Sequence, residues 1–101
     1  MDIMEFKEDE FIKPTLSSLE TGDIVELRNR ERLFVLHESL LDLKEKEWGS
    51  SFDEYSEDLK YCYMGRDPEM DIVKIAKNPI FENYRDYFRL DEIKIKWDWE
   101  L

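Results

Sequence analysis

Over residues 93–101 apolar and polar side chains alternate without a break: Ile93, Ile95, Trp97, Trp99 and Leu101 against Lys94, Lys96, Asp98 and Glu100. Successive side chains of a strand point to opposite faces, so the pattern predicts a half-buried strand at this end of the chain. Thr21-Gly22-Asp23 predicts a turn feeding a first strand over 23–28, with Val25 and Leu27 on one face and Glu26 and Arg28 on the other. The apolar run 32–36 reads as its buried hairpin partner. Arg30 suits the second place of a two-residue turn less well than glycine, so a longer connection is expected. Residues 39–43 form a third short strand before the charged turn 44–47. Ser51 with Glu54 three residues on is a capping-box signature, and Phe52, Tyr55 and Leu59 share a helical face, which predicts a short helix or helical turn. Strand character returns at 71–76 and ends at Asn78-Pro79, after which Phe81, Tyr84, Tyr87 and Phe88 recur at helical spacing.

These elements predict one domain over 1–101, with an acidic N-terminal leader over 1–19 and a β-rich core over 20–101. In the leader, Ile3, Phe6, Phe11 and Ile12 stand among Asp2, Glu5, Glu8, Asp9 and Glu10, and Pro14 disfavours helical geometry at Lys13. The expected fold is mainly β or α+β: a small SH3-like barrel or a strongly bent antiparallel sheet with one or two short helices. Val25, Leu27, Phe34, Leu36, Val73, Ile93, Ile95 and Trp97 are expected to share one core. With 42% apolar and 14% aromatic residues, the composition is that of a folded domain rather than an acidic disordered tail.

Charge changes the picture most. Twenty-six Asp and Glu face fifteen Lys and Arg, a formal net charge of −11 that repels bare nucleic acid and steers toward basic partners. Cys62 is the single cysteine, which excludes an internal disulfide and a cysteine-rich metal cluster and fits a reducing cytoplasm. Between Tyr61 and Tyr63 its thiol reads as a small packed group. The opening residues lack the basic start and apolar stretch of a secretory signal, and no apolar run approaches the ~18 residues a membrane span needs. His37, the single histidine, follows the run 33–36 and reads as a structural or surface residue at a strand end. Ser39, Ser50 and Ser51 lie in no nucleophile-elbow context. Arg28, Arg30 and Arg32, interleaved with Glu26 and Glu31, read as surface ion pairs. No cofactor or metal is implied, since no calcium-loop motif occurs. Asp71 with Glu92-Ile93-Lys94 matches a nuclease arrangement superficially, but such matches arise by chance in so acidic a chain.

The acids themselves are the candidate chemistry. Carboxylates two residues apart on a strand recur at about 6.5–7 Å, close to the step between phosphates on one strand of DNA. The first candidate surface is Asp53, Glu54, Glu57 and Asp58 with Asp42, Glu45 and Glu47 nearby, and Tyr55 and Tyr61 as aromatic anchors. The leader acids Glu5, Glu8, Asp9 and Glu10 are the second.

Thr21-Gly22-Asp23-Ile24-Val25-Glu26, Phe34-Val35-Leu36, then Trp48, Ser51, Tyr55, Asp58-Leu59, Asp71-Ile72-Val73-Lys74 and the Trp-bearing last strand resemble small acidic SH3-like proteins of Gram-positive phages and mobile elements. That resemblance implies a phage accessory protein that binds a host machine in the bacterial cytoplasm. Size and charge resemble anti-CRISPR and anti-restriction inhibitors that stand in for DNA. The expectation is a non-enzymatic inhibitor whose partner is a basic nucleic-acid-handling protein, a CRISPR effector nuclease being the specific candidate, with no direct nucleic-acid or membrane binding. The alternatives are a small metal-dependent nuclease or toxin-like enzyme using Asp71, Glu92 and Lys94, and a self-assembling structural phage protein.

Overall fold

A computed structural model describes residues 13–44 and 47–101, and among them six antiparallel strands form one sheet of order β4-β3-β2-β1-β5-β6. The strands are β1 (Ile24–Leu27), β2 (Arg32–Leu36), β3 (Ser39–Asp42), β4 (Glu47–Ser51), β5 (Ile72–Ala76) and β6 (Trp99–Glu100). Of four short 3-10 turns, Leu16–Ser18, Phe52–Glu54, Pro68–Met70 and Tyr84–Phe88, the second and fourth fall where helical spacing occurs in the sequence. The protein is therefore mainly β, with helical turns in place of helices.

The turn chemistry explains the first hairpins. Residues 28–30 join β1 to β2 as a three-residue loop: Leu27 N–H donates to the Glu31 carbonyl, Arg30 N–H donates to the Leu27 carbonyl, and Arg30 has φ 78°. The connection is longer than two residues, as the poor fit of arginine to a tight turn predicts. From β2 to β3 the link is only His37-Glu38, with His37 at φ 54°, the first-position sign that a type II′ turn requires. Ser51 and Glu54 form the anticipated capping box, Glu54 Oε2 accepting from Ser51 N at 3.0 Å.

Register places both faces of β1. Ile24 lies opposite Phe34 and Ala76, Glu26 opposite Arg32 and Lys74, while Val25 lies opposite Leu33 and Ile75. A bulge that adds Val73 to β5 lets Ile72 and Ile75 point to the same side although three residues apart. That side carries the larger core, including Val25, Leu27, Leu33, Val35, Leu40, Tyr55, Leu59, Ile72 and Ile75, closed by Leu16 and Leu19. The other side carries Ile24, Ala76, Leu90 and Ile95, with Phe34, Phe81, Ile93 and Trp97 packed against them. The single core anticipated from the pattern is thus two clusters on opposite faces, and Leu36 and Val73 are only half-buried. Leu16 and Leu19, in the segment read as leader, belong to the core. Residues 1–12 of the leader lie outside the described residues.

Both faces being covered, Glu26 is buried rather than solvated. Its carboxylate takes Arg32 Nε at 2.9 Å and Lys74 Nζ at 3.5 Å. Arg32 Nη1 also donates to the carbonyls of Leu90 and Ile93, at 2.7 and 2.8 Å, and the guanidinium and Lys74 ammonium lie 5.4 and 5.7 Å from the Trp97 ring centroid. This network ties residues 90–97 across the second face. The predicted strand over 93–101 is corrected accordingly: burial alternates there, but only Trp99 and Glu100 enter the ladder. Trp97 joins one face and Trp99 the other, so the chain changes sides between them.

Candidate interaction surface

The first 3-10 turn, the His37-Glu38 turn and the Phe52–Glu54 turn meet at one end of the sheet. Between them lies a groove of about 900 Å³ with Leu16, Leu19 and Phe52 as apolar lining and Glu20, Glu38, Asp53 and Glu57 as carboxylates. Glu20 pairs with Lys77 at 3.1 Å, and Glu57 accepts from the Ser17 hydroxyl and from Ser17 N–H, the latter at 3.4 Å. Glu38 and Asp53 are exposed, and among the described residues their side chains make no hydrogen bond or ion pair. Two carboxylates carried on turns and free to pair thus share a groove with three apolar side chains. Such a site suits a chain that offers Lys or Arg beside an apolar residue.

The predicted site residues divide in this geometry. Asp53 and Glu57 come together at the groove. Asp58 is exposed on the neighbouring loop and accepts from the Ser56 hydroxyl. Glu54 serves the fold instead, bonding Ser51 N and accepting from Tyr61 Oη at 3.3 Å. Asp42 lies at the other end of β3, opposite Glu47 in register, and accepts from Lys44 N–H at 3.1 Å. Three residue steps of strand put it about 10 Å along β3 from the groove end. Of Glu47 only the backbone is described, and Glu45 lies outside the described residues.

The aromatic anchors are corrected in part. Tyr55 is 6% exposed, its hydroxyl donating to the Met70 carbonyl at 2.7 Å, and burial followed by the nearby Tyr61 and Glu54 pushes that hydroxyl well above the usual tyrosine range. It is a core residue. Tyr61 is half-buried, stacked edge-on to Tyr55 with centroids 5.4 Å apart. The exposed apolar residues of that region are Tyr63 and Met64, at 53% and 87%. Cys62, expected to pack, is exposed as well. Tyr63 is among the tyrosines that sequence reasoning allows as an exposed anchor, whereas Glu20, Glu38 and Met64 escaped it, Glu38 because only strand register and turn geometry bring it and Asp53 to one groove.

Loop 62–67 is held from beneath by Asp71. This carboxylate, 2% exposed, accepts from Arg66 Nη1 and Nη2, each at 2.7 Å, and from Tyr61 N–H at 2.9 Å. Burial alone would push Asp71 up, but the bonds from Arg66 and Tyr61 outweigh it and hold the carboxyl below its ordinary value. No hydrogen bond or ion pair joins Asp71 to Glu92 or Lys94 among the described residues. Nor, among them, do three His, Cys, Asp or Glu side chains gather to hold a metal ion. No helix there is long and apolar enough to cross a membrane.

Comparison of the chain with family models, curated proteins and solved structures gives no match.

Proposed function

We propose that this protein is a non-enzymatic interaction protein that occupies a basic, nucleic-acid-binding surface of another protein and excludes DNA or RNA from it. The observation that carries the reading is the groove where Glu38 and Asp53 stand unpaired beside Leu16, Leu19 and Phe52 in a chain of net charge −11. Carboxylates already paired within the fold offer a partner little, whereas unpaired ones attract Lys and Arg, and the apolar slot adds the contact that charge alone does not give. The resemblance to acidic phage proteins points to a bacterial host nuclease, a CRISPR effector nuclease first, as the partner in the cytoplasm. Asp58, Tyr61 and the exposed Tyr63 and Met64 extend the same surface in this proposal.

The test is affinity capture from a bacterial lysate, then competition of the captured protein with labelled DNA at two salt concentrations. A captured nucleic-acid-binding protein that loses DNA to the wild type, but keeps it against the Glu38→Lys, Asp53→Lys double variant, supports the proposal. Competition unchanged by the double variant removes the groove from it. Divalent-metal-dependent cleavage of DNA or RNA that disappears in Glu92→Ala would replace it with the nuclease alternative.

A further inference from the structure

On the sheet face opposite the larger core, a second groove of about 500 Å³ is lined by Glu26, Arg28, Arg30, Arg32, Lys74 and Asp91. Four cations line it against two carboxylates, with Asp71 3.7 Å from Arg28 and Glu100 3.8 Å from Lys74 just outside the lining. Glu26 serves Arg32 and Lys74 together, while Asp91 is engaged by Lys44 at 2.9 Å, so neither carboxylate is left for Arg30. Among the described residues the Arg30 side chain makes no hydrogen bond or ion pair.

Arg30 also holds a backbone conformation that favours glycine, at φ 78°. The loop over 57–59 shows what normally compensates such a residue. It has the same pattern, Ser56 N–H to the Lys60 carbonyl and Leu59 N–H to the Ser56 carbonyl, with Leu59 at φ 70°. Leu59 is 1% exposed, and its burial in the core offsets the strain. Arg30 is exposed and gains nothing comparable from the fold. Positive φ recurs at the exposed His37, Met64 and Asn78, but Arg30 is the one of these placed at a groove of its own charge with an unpaired cationic side chain.

We propose that this groove binds a small phosphate-bearing anion, with the free Arg30 guanidinium donating to its oxygens beside Arg28, Arg32 and Lys74. Guanidinium groups match phosphate oxygens in paired hydrogen bonds, and of the four lining cations Arg30 is the one that no carboxylate among the described residues engages. The remaining negative charge of the molecule repels a long polyanionic strand more than a compact anion, which favours the small ligand. Trp97 lies against both Arg32 and Lys74, so its emission reports the site.

The experiment titrates the full chain with inorganic pyrophosphate and, separately, with a short single-stranded DNA, following tryptophan emission and heat. Wild type is expected to bind pyrophosphate saturably and more tightly than the DNA. Arg30→Gly is expected to weaken that binding about tenfold or more, with a melting temperature equal to or above wild type. Arg85→Gln, which makes the same charge change outside the groove, is expected to leave binding unchanged. Absent saturation, equal binding by Arg30→Gly, a loss as large in Arg85→Gln, a lowered melting temperature in Arg30→Gly, or tighter binding of the DNA would each overturn the proposal.

Discussion

A carboxylate as enclosed as Asp71 keeps its charge because Arg66 and the Tyr61 amide surround it, and that makes it an acid-sensitive fastening. Its folded-state pKa lies below the ordinary 3.8, so its contribution is fully present above that value and is lost as the pH falls through the lower folded one. Asp71→Asn is expected to lose about 2 kcal/mol at neutral pH, where buried bonds to a charge are broken, and to flatten the fall in stability below about pH 4. Urea unfolding across that range checks both. Gly49 is the added residue in the β3–β4 bulge, and a Cβ there would meet the Leu40 carbonyl at 2.9 Å and Leu33 at 3.4 Å. Because the nearer atom is backbone, Gly49→Ala is expected to destabilise by about 1–3 kcal/mol, read as a lower urea midpoint. The Ser51–Glu54 capping box was legible from residue types alone, since both partners are local. Neither the Asp71 clasp nor the demand for glycine at position 49 was, because each depends on a neighbour supplied by another segment.

At the scale of elements, the segment 93–98 separates burial from hydrogen bonding. Ile95 is 7% exposed and Lys94 and Lys96 are exposed, as the alternation predicts, yet the Arg32 contacts to carbonyls and Trp97 hold this stretch in place of a ladder. The backbone amides of Ile95 and Trp97 are therefore expected to exchange with solvent as loop amides do, while Ile75, Asp98 and Leu101 are slower, Asp98 and Leu101 donating to Ile75 and Val73 at 2.9 and 2.7 Å. Hydrogen exchange followed by NMR or mass spectrometry distinguishes this from a full strand. Truncating Ile95 to Ala is expected to cost about 2–4 kcal/mol, because it removes a buried side chain from the cluster with Ile24, Ala76 and Leu90. Equilibrium denaturation measures it. The β1–β2 hairpin and the place of β3 were legible because apolar runs alternate with turn residues over a few positions. Placement of β6 beside β5 was not, since 22 residues separate Ala76 and Trp99 and no turn signal spans them.

For the whole molecule, a net charge of −11 acts on stability and on association together. Self-repulsion of the folded chain is screened with a Debye length of about 10 Å at 0.1 M, so the melting temperature is expected to rise as sodium chloride is added from low ionic strength to about that level. A scan by calorimetry that shows no rise would mean that the internal ion pairs, such as Arg66 with Asp71, outweigh the repulsion. Association with a basic partner is expected to respond in the opposite direction, slowing as salt is added, and to slow further in the Glu38→Lys, Asp53→Lys variant while dissociation changes less. Stopped-flow mixing with the captured partner measures these rates. The groove at Arg30, lined by four cations and two carboxylates, is a local exception to that charge.

Periodicity and turn residues determined by themselves that the core is β-rich, where the first three strands lie, which residues cap the 3-10 turn after β4, and that the surface is acidic. These are properties of neighbours in the chain, within reach of a hydrogen bond or of a two-residue alternation. Only the tertiary structure decided that β1 is covered on both faces, that Glu26 is buried between Arg32 and Lys74, and that Tyr55 is core while Tyr63 and Met64 face solvent. It also divided the predicted acids: Glu54 into a cap, Asp53 and Glu57 to the groove, Asp42 toward the other end of the sheet. The physical reason is that a carboxylate is the same residue whether it caps, pairs or faces solvent, and its role is chosen by donors that other segments bring within about 3 Å of it.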